Sequence, residues 1–395
     1  METSRLSIDF LGRQYINPFL LASGPPTRTC EMIDRAFAAG WGGAVVKTIA
    51  SSLPTDDVQP RFAVLKHQNR DIGFQNIEMI SHRPIDVWVE ELVVLRKNWP
   101  DRAIWGSIMA GMDKADWQRL AIAVQKTGVD LLELNVSCPN GMPGRGMGAF
   151  IGQSAELTAE VVRWVKAVAE IPVIVKLTPN VTDIAMIAEA AQEAGADGFC
   201  AINTMSGISN VDPETLVPTP NIDGYSCGGG ISGPAIRPFA LRAIADVARA
   251  TKLPVSGCGG IVDWQNTIEF LALGAGTVQL CTEPMRQGFG MITKLVSGLE
   301  HWLDRHGKQL LSEIIGQSLD KVVTHENLSR SYRYRPTIPE NCNVCGRCVT
   351  VCADAGFRAI SRESGRVLLD QTKCDGCGLC DIVCHVRQTI SHNSF

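Results

Sequence analysis

The sequence predicts an α/β protein in which a TIM (β/α)8 barrel is followed by a small α+β domain rich in cysteine. Two observations lead to this prediction. Short apolar segments alternate with helical patterns through roughly the first 300 residues, which suits eight βα units. Eight of the 14 cysteines lie within residues 342–384, which separates a cysteine-poor body from a dense tail. A doubly wound open sheet is the alternative for the body, but no point where the strand order reverses is evident.

Composition limits the functions to consider. The chain has 395 residues, of which 45% are hydrophobic and 20% charged, as in an ordinary globular protein. Its net charge of −4 argues against nucleic acid or a membrane surface as a partner. No apolar run approaches the roughly 18 residues that span a bilayer, and the N-terminus lacks an apolar signal segment. We therefore expect a cytoplasmic protein whose cysteines serve metal binding or catalysis rather than disulfides.

The predicted barrel elements alternate along the chain. Four predicted helices end at a glycine suited to the turn before a strand, namely Gly40, Gly128, Gly195 and Gly274. We predict strands at 19–22, 44–48, 104–109, 131–136, 173–178, 198–203, 254–258 and 277–282. We predict helices near 30–39, 85–98, 115–127, 155–169, 183–194, 236–250, 265–273 and 286–304, and a further helix near 309–319. The long polar segments 53–74 and 220–233 are predicted to be loops.

A thiol follows the fourth predicted strand, where a barrel carries its active site. Asn135 lies near the end of this strand, Ser137 and Cys138 follow it, and the glycine-rich segment 140–148 comes next. A thiol at a strand end, below a loop that can close, is typical of a catalytic position. The alternative is that Cys138 is a small buried hydrophobic residue, as most free cysteines are.

Two lysines end predicted strands, Lys47 the second and Lys176 the fifth. Lysine is rarely buried unpaired, so one of them could belong to an ion pair, whereas two beside amides favour an anionic or electron-rich cofactor. Gly259 and Gly260 after the seventh strand, with Thr282 after the eighth, suit the phosphate site of a barrel. FMN meets both requirements, because it has one phosphate and a ring that gains negative charge on reduction.

The pattern G-x-G-x-x-G at 228–233 does not predict a dinucleotide site. The residues before it do not read as a strand, and no βαβ unit surrounds it. We interpret it as part of a loop after the sixth strand. Asn76 and Glu78, which follow the other long loop, could reach the same barrel mouth, or Glu78 could be solvated.

The tail contains one cysteine spacing twice, C-x2-C-x2-C-x3-C. This is the spacing of two [4Fe–4S] clusters in which the fourth cysteine of each run binds the other cluster. We predict one cluster on Cys342, Cys345, Cys348 and Cys384, and the other on Cys374, Cys377, Cys380 and Cys352. Zinc is the alternative, although zinc sites more often have paired C-x2-C units.

Domain bounds follow from this division of the chain. We predict a barrel over 1–325, a linker with several arginines and prolines over 326–340, and a two-cluster domain over 341–395. The proline usual after the fourth cysteine is replaced by Ala353 and His385, which affects the surroundings of the clusters rather than their ligands.

Together these motifs resemble the dihydropyrimidine dehydrogenase family. The resemblance covers essentially the whole chain, and the barrel alone is similar to class 1 dihydroorotate dehydrogenases. It rests on N-V-S-C-P-N-G-M at 135–142, K-L-T-P-N at 176–180, the pairs Asn203-Thr204 and Lys47-Thr48, and the C-terminal double cluster, which makes the whole tail a ferredoxin-like domain.

The resemblance implies a role for each group of residues. FMN would be held by Ser23, Lys47, Thr48, Asn135, Lys176, Gly233, Cys258, Gly259, Gly260, Cys281 and Thr282. A pyrimidine base would be bound by Asn76, Asn135, Ser137, Asn203 and Thr204, since amides match its alternating donors and acceptors. Hydride would pass to C6 of the base and Cys138 would protonate C5, because a free thiol, with a pKa of about 8.5, is protonated at neutral pH.

Three functional hypotheses stay open. The first is reduction of the 5,6 double bond of uracil or thymine, or the reverse, with electrons from a separate FAD- and NAD(P)H-binding subunit in a hetero-oligomer. The second is dihydroorotate oxidation, which would need a cation for the carboxylate of the ring, and Arg145 is the only candidate nearby. The third is an electron-transfer subunit with an inactive barrel, against which the intact Cys138, lysines and amides argue.

Overall fold

The computed structural model describes residues 4–50, 58–139, 144 and 146–388. The chain divides into two units, Met1–Val322 and Val323–Phe395. In the described part of the chain, no helix is long and apolar enough to cross a membrane.

The first unit contains a closed barrel of parallel strands. Its eight strands, counted over the described residues, are Phe19–Leu21 (β1), Gly43–Val45 with Ile49–Ala50 (β2), Ala103–Met109 (β3), Leu131–Asn135 (β4), Val173–Leu177 (β5), Gly198–Ala201 (β6), Val255–Cys258 (β7) and Ala275–Leu280 (β8). β1 pairs with β8 as well as with β2, and both pieces of β2 pair with β3, so the ring has no edge. The predicted barrel is confirmed, and the open sheet is wrong.

Eight longer helices of the described chain surround the barrel. They are Cys30–Ala39 (α1), Ile85–Asn98 (α2), Lys114–Gln125 (α3), Ala155–Lys166 (α4), Ile184–Glu193 (α5), Arg237–Thr251 (α6), Trp264–Ala272 (α7) and Ile292–Arg305 (α8). Thr29, Asp113, Ser154, Asp183 and Asp263 cap five of them by accepting hydrogen bonds from the first turn. The eight helices predicted for the barrel are present, but the last one is shorter, because Gly288 at φ 78° separates α8 from the short helix Thr282–Gln287.

The helix predicted near 309–319 is wrong. The chain there forms two short 3-10 turns, Leu311–Ile314 and Leu319–Lys321. Gly316 lies between them at φ 76°, a conformation that ends a helix.

An N-terminal hairpin closes one end of the barrel. Its strands, Ile8–Phe10 and Arg13–Tyr15, place aromatic side chains against Trp105 of β3. The rings of Phe10 and Trp105 stack with centroids 5.1 Å apart, and the indole of Trp105 donates a hydrogen bond of 3.2 Å to the hydroxyl of Tyr15. The interior at this end is therefore filled, which leaves the C-terminal ends of the strands for a ligand.

Both long segments predicted to be loops contain strands. Phe62–His67, Arg70–Asn76, Gly229–Ser232 and Met205–Gly207 form an antiparallel sheet in which Arg70–Asn76 and Gly229–Ser232 are neighbours. Small residues allow this pairing, since a Cβ on Gly229 would lie 2.7 Å from the carbonyl oxygen of Asn76. The loop prediction is wrong for these strands, and residues 53–57 lie outside the described ranges.

The second unit repeats one backbone motif. Gly346 precedes the helix Arg347–Asp354 with φ 82° and ψ −4°, and Gly378 precedes Leu379–Ile382 with φ 79° and ψ −2°. A hairpin, Ile360–Glu363 with Arg366–Leu369, lies between them in the chain, and a short helix follows at His385–Gln388. The repeated cysteine spacing thus accompanies a repeated backbone conformation.

Candidate active site

A cavity of about 300 Å³ lies at the C-terminal ends of the barrel strands. This volume is at the lower end of the range for small-molecule sites. Its walls include nearly every barrel residue predicted for a site, namely Ser23, Lys47, Thr48, Asn76, Asn135, Cys138, Lys176, Asn203, Thr204, Gly233, Cys258, Gly259, Gly260, Cys281 and Thr282. Ser137 is the exception, because it is fully buried behind the wall.

Amides and hydroxyls on the wall form a continuous chain of hydrogen bonds. The amide of Asn203 donates to the hydroxyl of Ser137 at 2.8 Å, and that hydroxyl donates to Asn135 Oδ1 at 3.2 Å. Asn135 Nδ2 then donates to Thr48 Oγ1 at 2.8 Å. The orientation of each amide is thus fixed before a ligand arrives, which is what precise recognition of a polar ring requires.

Thr48 joins this chain to the first and third strands. Its hydroxyl lies 3.1 Å from that of Ser23 and 2.9 Å from that of Ser107. Residues predicted for the cofactor and residues predicted for the substrate therefore belong to one network.

Lys47 is paired with a buried carboxylate. Its ammonium lies 2.7 Å from Glu78 Oε2, and Glu78 is only 4% exposed. Arg28 also contacts Glu78, and the Arg61 guanidinium lies 3.8 Å from it. The suggestion that Glu78 is solvated is wrong, since three cations surround it.

Lys176 is paired as well. Its ammonium lies 3.7 Å from the Glu133 carboxylate and donates to Gln279 Oε1 at 3.4 Å. Burial on its own lowers the pKa of Lys176, but attraction to Glu133 and to the negative forms of nearby thiols outweighs burial and raises it. Lys176 therefore stays charged. Sequence reasoning missed Glu133 and Gln279, although each stands as a polar residue in an apolar strand.

The other cation on the described cavity wall, Arg286, is also compensated. Its guanidinium lies 3.3 Å from Glu283 and 3.4 Å from Asp71. Lys47, Lys176 and Arg286 thus each have a carboxylate beside them.

Three glycines on the wall have a backbone conformation that favours glycine. Gly233, Gly259 and Gly260 have φ values of 84°, 124° and 77°. A Cβ on Gly260 would lie 2.7 Å from Arg237 Cβ and 2.8 Å from its backbone nitrogen. The Thr282 hydroxyl, nearby in the same cavity, donates to Ser232 at 2.9 Å. Side-chain-free backbone beside a hydroxyl suits a phosphate group, so these residues fit the phosphate of FMN.

Cys138 is 8% exposed and packs in a small apolar cluster with Ala50, Ile80, Met109 and Met147. The end of the glycine-rich segment packs closely against the Cys138 backbone, since a Cβ on Gly148 would lie 2.5 Å from the Cys138 carbonyl oxygen. The predicted loop 140–148 is described only at 144 and 146–148, and Arg145 lies outside the described residues.

Three further thiols lie near Lys176, of which Cys200 is buried and Cys258 and Cys281 line the cavity. Burial raises the pKa of Cys200 and raises that of Cys281 to about 12. A hydrogen bond with Cys200 lowers the pKa of Cys258 to about 7, and the charge of Lys176 acts in the same direction.

Seven of the eight cysteines of the second unit lie near other cysteines of that unit. Cys352, Cys374, Cys377 and Cys380 line one small cavity. Burial, followed by the negative forms of Cys342 and Cys384, raises the pKa of Cys348, so these three thiols are close together. Within the described ranges, no three Cys, His, Asp or Glu side chains converge tightly enough for a single metal ion.

Peptide N–H groups already point at two of these sulfurs. Val344 donates to Cys342 Sγ at 3.4 Å, and Ala359 donates to Cys352 Sγ at 3.3 Å. Hydrogen bonds to sulfur and grouped thiols are what an iron–sulfur cluster needs, so the residues fit the predicted clusters.

Comparison with known proteins agrees with the barrel fold. A family model described as dihydroorotate dehydrogenase matches residues 5–303. The chain is 40% identical over 365 residues to the NAD-dependent dihydropyrimidine dehydrogenase subunit PreA of Escherichia coli (strain K12). The matched residues cover 91% of this chain and 88% of that protein.

Two other relatives are similar over most of the chain. The chloroplastic dihydropyrimidine dehydrogenase (NADP(+)) of Arabidopsis thaliana is 39% identical over 336 residues, 82% of this chain and 79% of that protein. The catalytic subunit of dihydroorotate dehydrogenase B (NAD(+)) of Pyrococcus abyssi (strain GE5 / Orsay) is 36% identical over 316 residues, 80% of this chain and 99% of that protein. The chain therefore belongs to the dihydroorotate dehydrogenase family and is an oxidoreductase of the dihydropyrimidine dehydrogenase type.

Proposed function

We propose that this enzyme reduces the 5,6 double bond of an uncharged pyrimidine base such as uracil or thymine, or catalyses the reverse reaction. One observation carries the proposal. Asn203 and Asn135, which Ser137 orients from behind the wall, line the same cavity as Cys138, and the described cations on that wall are already paired. Within the described residues, such a wall offers alternating donors and acceptors, and each of its cations has a carboxylate beside it.

FMN is the proposed cofactor of the barrel. Its phosphate would lie at the cradle formed by Gly233, Gly259, Gly260 and Thr282, and Ser23, Lys47, Thr48, Asn135, Lys176, Cys258 and Cys281 would surround the rest of the molecule. When bound, FMN supplies the hydride for C6 of the pyrimidine.

The residues of the chain supply recognition and a proton. Asn76, Asn135, Asn203 and Thr204 hold the base by its N–H and C=O groups, with Ser137 orienting two of the amides from behind. Cys138 gives its thiol proton to C5 as a general acid, or takes one in the reverse direction. Its apolar neighbours exclude water from that step.

The second unit is proposed to be a ferredoxin-like domain with two [4Fe–4S] clusters. Cys342, Cys345, Cys348 and Cys384 would hold one cluster, and Cys374, Cys377, Cys380 and Cys352 the other. The proposal rests on the repeated spacing, on the repeated backbone conformation at Gly346 and Gly378, and on the grouping of the thiols.

A partner follows from these clusters. Because they carry electrons singly, the reducing equivalents are proposed to come from a separate subunit that binds FAD and oxidises NADH or NADPH. The relative from Escherichia coli is itself called a subunit and NAD-dependent. We therefore propose a hetero-oligomer in the cytoplasm.

Dihydroorotate oxidation is the competing function, since one relative is a dihydroorotate dehydrogenase subunit. It is disfavoured because the carboxylate of orotate would enter a cavity whose described cations, Lys47, Lys176 and Arg286, each face a carboxylate already. An electron-transfer subunit with an inactive barrel is disfavoured by the intact site around Cys138.

A panel of rings tests this choice. Photoreduced enzyme is mixed anaerobically with uracil, thymine, a hydantoin or orotate, and the return of the oxidised flavin spectrum is timed. We expect uracil or thymine to reoxidise the flavin and orotate to leave it reduced. Reoxidation by orotate, with uracil and thymine inert, would reject the proposed substrate class.

A further inference from the structure

A buried carboxylate below the cavity has no part in the mechanism given above. Glu133 lies in the middle of β4 and is fully buried. It stands two residues before Asn135, so both side chains project from the same face of the strand, toward the barrel interior. Unlike Asn135, Glu133 does not line the cavity.

Glu133 belongs to a triangle of polar side chains that crosses the barrel. Its Oε2 accepts a hydrogen bond of 3.0 Å from Gln279 Nε2, and Gln279 Oε1 accepts one of 3.4 Å from the Lys176 ammonium. Glu133 Oε1 lies 3.7 Å from that ammonium and has no hydrogen bond within the described structure. β4 and β8 are opposite strands of the ring, so Gln279 links two walls of the barrel.

The charge of Glu133 is not required for filling the barrel. Replacing a buried ion pair by uncharged groups of similar volume is often neutral or stabilising, because both charges have been taken out of water. A buried carboxylate beside a lysine at a ligand cavity is therefore a candidate for a functional role.

That role is electrostatic and acts through Lys176, whose side chain lines the cavity. A carboxylate 3.7 Å from the ammonium cancels part of its field, and Gln279 fixes the distance by bonding both. The other groups that face Lys176 are the thiols of Cys200, Cys258 and Cys281.

We infer that Glu133 and Gln279 are positioning residues that hold the Lys176 ammonium and reduce its effective charge, and so set the reduction potential of the flavin. This inference rests on the proposed FMN site. A positive charge near the ring favours the reduced, more negative flavin. The carboxylate therefore holds the potential lower than Lys176 alone would set it.

The test is a redox titration of the flavin in the full-length holoenzyme at about pH 6, well below the ordinary pKa of lysine. Glu133→Gln keeps the shape and removes the charge. We expect the equilibrium between oxidised and reduced flavin in this variant to shift at least tenfold toward the reduced form. For a two-electron couple, this makes the midpoint potential more positive by about 30 mV. Glu133→Asp keeps the negative charge but moves it away from the Lys176 ammonium. Its midpoint potential should therefore lie between those of the wild type and Glu133→Gln.

Lys176→Met provides the control for the route of the effect. If Glu133 acts through Lys176, introducing Glu133→Gln into the Lys176→Met variant should shift the midpoint potential by less than introducing Glu133→Gln into the wild type. An unchanged or more negative midpoint in Glu133→Gln, with FMN bound, overturns the inference while leaving the proposed function intact. A wild-type protein without FMN overturns both.

Discussion

The barrel and the second unit hold their functional side chains in different ways. Every residue of β4 is buried, and the register of neighbouring strands aligns Asn135 with Lys176. In the second unit, none of the residues of the described helices Arg347–Asp354 and Leu379–Ile382 is buried. Recognition of a ring needs side chains oriented in advance, whereas cluster cysteines need only lie within reach, since ligation to iron fixes them.

This difference predicts that the two units can be disabled separately. Cys348→Ser should abolish turnover driven by NADH through the partner, because one proposed cluster loses a ligand and the electron path is cut. The photoreduced flavin of this variant should still be reoxidised by uracil at the wild-type rate, as followed by stopped-flow absorbance. Cys227→Ser, at an exposed cysteine of the first unit, is the control and should alter neither rate. If both rates fell together in Cys348→Ser, the units would not be separable in function.

The opposite pattern is expected for the barrel thiol. Cys138→Ala should leave iron and FMN contents unchanged and lower the rate of pyrimidine reduction by roughly 10²–10⁴-fold, the usual contribution of a general acid. Cys30→Ala is the matched control, because Cys30 is also buried in the first unit but lies in α1. A Cys138→Ala enzyme with most of its activity would show that this thiol is only part of the apolar packing.

A smaller effect is expected at the oriented amides. Asn203→Ala removes the donor to Ser137 and leaves a polar group of the base unpaired, at a cost of roughly 1–3 kcal/mol. This corresponds to roughly a 5- to 150-fold rise in the dissociation constant of the base, measured by flavin spectral titration. Asn221→Ala, in an exposed loop, should bind the base normally. Unchanged affinity in Asn203→Ala would remove this residue from the substrate site.

The phosphate cradle offers the smallest predicted change. Gly260→Ala forces a Cβ against Arg237 at φ 77°, which should cost about 1–2 kcal/mol and weaken FMN retention on gel filtration. Gly228→Ala is the control, because nothing lies within 4 Å of its Cβ position. Equal FMN retention by both variants would place the phosphate elsewhere.

Local patterns were enough to predict the barrel, but not the contacts that cross it. Apolar strands, helical periodicity and glycines at helix ends predict all eight βα units, because these signals come from neighbours in sequence. The sheet formed by Arg70–Asn76 and Gly229–Ser232 was missed because its partners lie far apart in the chain. The ion pair of Glu133 with Lys176 was missed for the same reason, although Glu133 shares a strand face with Asn135.

The central claim is that pyrimidine chemistry takes place in the barrel, while electrons enter through the cysteine-rich unit from another protein. In the most direct test, the purified chain is incubated anaerobically with uracil and one electron donor at a time. The donors are reduced viologen, NADH and NADPH. We predict that reduced viologen supports formation of dihydrouracil, that neither nicotinamide does so alone, and that adding an FAD-containing partner subunit restores nicotinamide-dependent turnover. Robust turnover of the isolated chain with NADH or NADPH would contradict the account.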